Sequence, residues 1–264
     1  MRQAAFSSGN TARLTGANPL SKLFAASAIT FALAVSIDWV SASVALVLEL
    51  LVIPLVGISL AGLLARAWPL LLAAIFAAWG TALVAVDSGP VVLDLGYLDI
   101  TEGSLATGIA IMARGMAIAI PGILLMVSTD PTDLADALAQ KARLPHRFVL
   151  GTLAALRLVG LMVEEWRTLG LARRARGVGS GRSLAGRAKA NLGQGFGLLV
   201  QAIRRGSRLA VTMEARGFGA GPRSWARTST FNAIDAWVCL GGAAIAGVAV
   251  GAAISAGTWN VILF

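Results

Sequence analysis

Two copies of one short word stand forty positions apart: Ala175-Arg176-Gly177-Val178-Gly179 and Ala215-Arg216-Gly217-Phe218-Gly219. A glycine in the left-handed conformation is the easiest way to stop a helix, and an arginine in the last turn faces the negative end of the macrodipole. Ala-Arg-Gly therefore reads as a helix end bearing a planar, fork-shaped cation. The alanine leaves the backbone approachable, and the guanidinium can pair bidentately with a carboxylate in a groove. Each copy alone is also an ordinary helix stop with a solvated arginine; the repetition favours a matched pair of docking tips built from Ala175, Arg176, Gly177, Ala215, Arg216 and Gly217.

Other residues offer less chemistry. The run Gly177-Val178-Gly179-Ser180-Gly181-Arg182-Ser183 imitates a phosphate-binding loop but lacks the Gly-Lys pair and follows a helix rather than a strand, so it reads as a flexible joint. Cys239 and His146 are the only residues of their types, so neither a disulfide nor a His/Cys metal cluster forms within one chain, and no metal or other cofactor is expected on it. His146, after Leu144-Pro145, suits a helix start. Asp130, Asp133 and Asp136, spaced by three, favour a helix N-terminus through its dipole. Two charges fall inside apolar runs, Glu49 and Arg114; they either pair with each other or separately reach a partner subunit or a water-filled crevice.

The elements that must position these residues are membrane elements. Hydrophobic residues make up 57% of 264 and charged ones 13%, with a mean hydropathy of +0.77, well above a soluble domain. About 20 residues of helix cross a bilayer core. The apolar runs predict an all-α integral membrane protein with about five spans, near 22–37, 43–63, 69–87, 104–127 and 233–255. Lys22 and Trp39 extend the short first one by snorkelling and headgroup anchoring, and Trp68 and Trp259 also sit near span ends. A cleaved secretory leader is the rival reading of the beginning, but further spans follow at once.

Positive charge is concentrated between the fourth and fifth spans. Residues 130–230 hold 17 Lys/Arg against 6 Asp/Glu, and the remainder 5 against 7. The organisation expected is 1–127, an N-terminal tail with four spans; 128–231, coupling helices bearing the tips; and 232–264, a final span. Cytoplasmic flanks carry the excess of Lys and Arg. Arg2, Arg13 and Lys22 before the first span, Asp38 after it, Arg66 after the second, and Asp87, Asp94, Asp99 and Glu102 after the third alternate in that sense. The N-terminus and the basic segment are thus expected in the cytoplasm and the C-terminus outside.

Such a segment could hug anionic lipid or bind nucleic acid, but its periodicity is more specific. Along 184–216, Ala188, Leu192, Phe196, Leu199 and Ile203 share one helical face, and Arg187, Asn191, Gln194, Gln201, Arg205 and Arg208 another. Residues 146–176 are ambiguous, since Phe148 to Val163 carries only Arg157 as a charge. Two interfacial helices keep both tips on one side.

These residues resemble the transmembrane T component of energy-coupling factor (ECF) transporters. The paired Ala-Arg-Gly words look like that family's, including the lead-in Ala210-Val211-Thr212-Met213-Glu214. Its arginine-then-acidic run is similar to Ala155-Leu156-Arg157 followed by Glu164-Glu165-Trp166-Arg167. The stretch Ser128 to Leu138, containing Asp130-Pro131-Thr132-Asp133, with Leu144-Pro145 after it, resembles its short helix after the fourth span, and Asn18-Pro19-Leu20-Ser21-Lys22-Leu23 its entry to the first. The family often has Gln in the first tip where this chain has Arg173-Arg174, and Glu49 and Arg114 have no counterpart in its pattern.

The resemblance implies a non-catalytic scaffold in a bacterial or archaeal cell membrane, which would take up a vitamin, a vitamin precursor or a metal ion. Implied partners are two cytoplasmic ATPase subunits, a small substrate-binding membrane subunit and membrane lipid, with no nucleic acid. ATP and Mg would sit on the ATPases, whose grooves Arg176 and Arg216 would enter. Two other classes stand beside it: a permease subunit lining its own substrate path, which needs one principal coupling helix per chain, and a membrane-bound lipid-modifying enzyme.

Overall fold

The computed structural model describes residues 16–35, 38–55, 57, 59–85, 89–94, 99–178, 183–221, 225 and 227–259. Arg2, Arg13 and Asp87, used above for sidedness, and residues 179–182 of the expected joint lie outside them. The chain divides into two compact units, one made of residues 1–130 and 230–264 and the other of 131–229.

The first unit holds α1 (Pro19–Val35), α2 (Trp39–Leu55), α3 (Leu60–Val84), β1 (Val91–Asp94), β2 (Asp99–Thr101), α4 (Glu102–Ser128) and α8 (Ala233–Ser255). Helix α1 packs on α8 and α4, α2 on α4 and α8, and α3 on α4. Ile29 and Leu33 of α1 meet Ala45, Ala117 and Ala249 in one buried cluster; Ile53, Leu63 and Ile120 form a second;. Ala45, Ala117 and Ala249 let the helices of the first cluster approach closely, and in lipid close van der Waals contact, not exclusion of water, brings helices together. A Cβ on Gly242 of α8 would collide with Ala25, and one on Gly108 of α4 would lie 2.6 Å from the Ala78 carbonyl oxygen. Large side chains such as Phe31, Phe76 and Trp237 point outward, as expected where lipid is the solvent.

Buried Asp235 ties two helix starts together. Its carboxylate accepts from the backbone N–H of Asn18 and from Ser21 Oγ at 3.1 Å, and at 2.6 Å from the N–H of Asn232 in a capping box. Asn18 Nδ2 donates to the Thr230 carbonyl at 3.1 Å, and Lys22 Nζ to that of Ser128 at 2.8 Å. The starts of α1 and α8 and the end of α4 therefore share one face of the bundle, and the chain leaves that face at Ser128 and returns to it at Thr230.

The protein is α-helical and membrane-embedded as expected, with differences in detail. Three stretches, Ala67–Val84, Glu102–Ser128 and Ala233–Ser255, are long and apolar enough to cross a bilayer among the described residues. Helices α1 and α2 are apolar but have 17 residues each, about 25 Å at 1.5 Å per residue. The continuous span expected over 43–63 is broken: α2 stops one residue past Pro54, Gly57 turns at φ +83° with its N–H on the Pro54 carbonyl (3.0 Å), and Ser59 Oγ caps α3 by accepting from Gly62 at 3.2 Å. The third span starts correspondingly earlier than 69. The acidic turn after it contains a short antiparallel ribbon pairing Val91 with Thr101 and Leu93 with Ile100.

The second unit holds α5 (Pro131–Gln140), α6 (His146–Ala175) and α7 (Leu184–Ala215). Helix α6 is unbroken through the ambiguous stretch 146–163 but is not among the helices long and apolar enough to span. The unit's two ends are strapped together: Gln140 Nε2 donates to the Arg227 carbonyl (2.8 Å), its Oε1 accepts from Ser229 N–H (2.9 Å), and Arg227 meets Asp133 at 3.3 Å.

Candidate functional site

The two Ala-Arg-Gly words adopt one geometry. In the first, Gly177 N–H donates to the Arg174 carbonyl at 2.9 Å and Val178 N–H to that of Arg173 at 2.9 Å. In the second, Gly217 N–H reaches Glu214 at 2.9 Å and Phe218 N–H reaches Met213 at 3.0 Å. Both are Schellman closures, in which two amides turn back to satisfy the last helical carbonyls. Gly177 and Gly217 have φ +77° and +72°, and Arg176 and Arg216 share φ −88° with ψ of 7° and 9°. Ala175, Arg176, Gly177, Ala215, Arg216 and Gly217 are all exposed.

The tips are held at opposite ends of the α6 and α7 pair. Near the first, the helices touch through Arg173, whose Nη1 donates to the Ala190 carbonyl at 3.3 Å, and through buried Gln194, whose Nε2 donates to the Trp166 carbonyl at 2.6 Å. Glu165 and Arg205 form an ion pair further along. Gly170 and Gly193 allow this approach, since a Cβ at either would press on Gln194 or Arg173.

The second tip returns to the start of α6. Arg147 Nη2 donates to the Gly219 carbonyl at 3.0 Å, and the His146 ring meets Phe218 edge-on with centroids 6.4 Å apart. Gly219, at φ +83°, lies so close to the Arg147 guanidinium that a Cβ there would collide with it. The length of α6 thus separates the tips, about 45 Å for 30 residues. Sequence reasoning missed this latch, although a second glycine two residues past Gly217 and an arginine after Pro145-His146 were both visible.

Along α7, Leu192, Phe196, Leu199 and Ile203 are 57–75% exposed, so the apolar face expected from the periodicity exists and is uncovered among the described residues of its own unit.

Glu49 and Arg114 are not brought together. Glu49 is buried with both carboxyl oxygens lacking a hydrogen-bond partner, in a cleft of about 540 Å³ beside Lys22, Pro121 and Leu124. Arg114 instead donates from Nη2 to the Ala34 carbonyl at 3.4 Å. Helix α1 stops at Val35, and its last carbonyls have no helical partner, so they supply the acceptor. Pro121 lies about two turns beyond Arg114 on α4, roughly 10 Å.

With this geometry in hand, comparison with known proteins is decisive at the level of family. Residues 12–225 match the family model CbiQ, cobalt transport protein. The chain belongs to that family. It is also 33% identical over 141 residues to the energy-coupling factor transporter transmembrane protein EcfT of Bacillus subtilis (strain 168), covering 50% of this chain and 53% of that one. The EcfT of Listeria innocua is 34% identical over 142 residues, again 50% and 53%, and that of Lacticaseibacillus paracasei 33% over 167 residues, 60% and 62%;. The chain thus spans about half the length of the curated relatives it matches. The resemblance to the T component of ECF transporters is borne out, and this CbiQ-family chain is a membrane component of the transport class.

Proposed function

We propose that the chain is the non-catalytic scaffold of an ATP-driven importer of the ECF type, which passes closure of two cytoplasmic ATPase subunits to a small substrate-binding membrane subunit. The observation that carries this reading is the pair of superposable Schellman tips, each with an exposed arginine, about 45 Å apart on two helices that touch. One tip suits a single groove; two matched tips that far apart suit two copies of the same groove.

Acidic residues in those grooves would pair with Arg176 and Arg216, and ATP with Mg would be held by the ATPases. Coupling requires that ATP-bound and ATP-free states grip the tips differently, because only differential binding moves a conformational equilibrium. Since α6 and α7 are joined by Arg173, Gln194 and the Glu165–Arg205 pair, a change in spacing of the tips must reorient both helices. The uncovered apolar face of α7 is where a membrane partner would feel that motion. The cargo would be a vitamin, a vitamin precursor or a metal ion, chosen by the substrate-binding subunit. The face shared by the starts of α1 and α8 and the end of α4 would be cytoplasmic, the C-terminus external.

Expression of the tagged chain with its neighbouring genes, followed by purification and uptake measurement, tests this. Co-purification of two ATPase chains and one small membrane protein, with uptake lost in an Arg176→Ala/Arg216→Ala variant still present in the membrane, is the expected result; normal uptake by that variant refutes the reading.

A further inference from the structure

We propose that a cleft at the crossing of α6 and α7, beside the first tip, binds the phosphate of an anionic phospholipid headgroup. The cleft has a volume of about 850 Å³ and is lined by four arginines, Arg167, Arg173, Arg174 and Arg187. No carboxylate lines it among the described residues. Arg173 is engaged with the Ala190 carbonyl, whereas the guanidinium groups of Arg167, Arg174 and Arg187 have no hydrogen-bond or ion-pair partner among the described residues. The nearest acid in sequence whose partner is known, Glu165, is taken by Arg205.

Cations gathered around an open cavity without a counter-charge repel one another, and a multivalent oxyanion relieves that repulsion while matching the fork of each guanidinium. The remaining wall is amphiphilic. Asn191 and Gln194 supply amides on one side, and Trp166, Leu171 and Val178, all at least 41% exposed, supply an apolar shoulder. A free phosphate would use the arginines and leave that shoulder wet; a phospholipid uses both. The chain is membrane-embedded, so such lipid is at hand, and basic pockets between helices are known lipid-headgroup sites as a physical class. The second tip is flanked instead by Arg147 on the Gly219 carbonyl and His146 on Phe218, so the two tips, alike in backbone, differ in what sits next to them.

The test uses the full chain in nonionic detergent, titrated with pyrene-labelled phosphatidylglycerol and, separately, with phosphatidylcholine carrying the same acyl chains, read by energy transfer from tryptophan. Arg167→Gln/Arg187→Gln is expected to bind the anionic lipid about 25-fold more weakly, at a factor of roughly five per cation. Arg204→Gln/Arg208→Gln, which removes the same charge outside the cleft, should bind as the parent does, and Arg167→Lys/Arg187→Lys should recover most of the affinity if the glutamine variant fails to fold. Equal weakening in both charge-removing variants overturns the site. Displacement of the probe by millimolar inorganic phosphate overturns the lipid assignment in favour of a soluble phosphate ligand. Unchanged lipid binding together with loss of co-purifying ATPase chains in Arg167→Gln/Arg187→Gln assigns the arginines to an acidic protein surface instead. The lipid-binding and phosphate-displacement outcomes do not depend on the importer reading; only the ATPase readout does.

Discussion

Arg176 and Arg216 each sit one residue before a glycine that no other residue replaces without strain. Substituting alanine at Gly177 or Gly217 places a Cβ at φ +77° or +72°, at a cost of roughly 1–2 kcal/mol in the left-handed region. Gly177→Ala is therefore expected to fray the first tip while leaving α6 helical, seen as weakened ATPase association with unchanged far-ultraviolet circular dichroism. Arginine truncation acts differently, because the backbone closure survives. If the guanidinium is desolvated in a groove, Arg216→Ala strands the opposing carboxylate and costs about 2–5 kcal/mol, thirtyfold or more in affinity, measurable by titrating purified ATPase against the reconstituted chain. Gly219→Ala should resemble a lost second tip, since its Cβ would displace Arg147, and Arg147→Ala in that background should restore part of the binding.

Among elements, the contacts of α1 and α4 separate the two intramembrane charges. Because Arg114 turns to the Ala34 carbonyl and Glu49 to the cleft by Pro121, Glu49→Gln and Arg114→Gln should be additive within about 0.5 kcal/mol in a thermal double-mutant cycle. A coupling energy above 1 kcal/mol would show that they meet after all. The α1 and α8 seam gives a second expectation: Gly242→Leu forces apart two backbones that touch at Ala25, and overpacking of this kind costs typically 1–3 kcal/mol, read as a lower unfolding temperature in detergent. Gly241→Leu, one position away with open space around it, is the control and should change little.

On the scale of the whole molecule, Asp235, Lys22 and Asn18 gather the ends of unit one that flank the inserted segment, and Gln140 gathers the two ends of that segment. Each unit thus holds together the two chain ends at which the segment 131–229 is inserted. Asp235→Ala removes acceptors from two helix starts at once and is expected to lower the yield of folded protein in the membrane more than either tip variant, measured by size-exclusion chromatography of extracts.

Much of this was legible in the residues alone, for physical reasons that can be named. Apolar runs announce helices in lipid because no other open structure satisfies its own backbone there. Helix α7 was visible because its period of 3.6 separates two faces, and the tips because a glycine after a final turn is a local closure needing no tertiary partner. The break after Leu55 was visible in Pro54, Gly57 and Ser59 but was overridden by the apolar run around it. What only tertiary structure decided concerns directions and partners. Arg114 chose a carbonyl exposed by the early end of α1 over a carboxylate; the second tip folded back onto Arg147 and His146, setting the distance between the tips; and four arginines from two helices converged on one cleft. Each depends on where a side chain meets a residue far away in sequence, and spacing along a chain carries no record of that meeting.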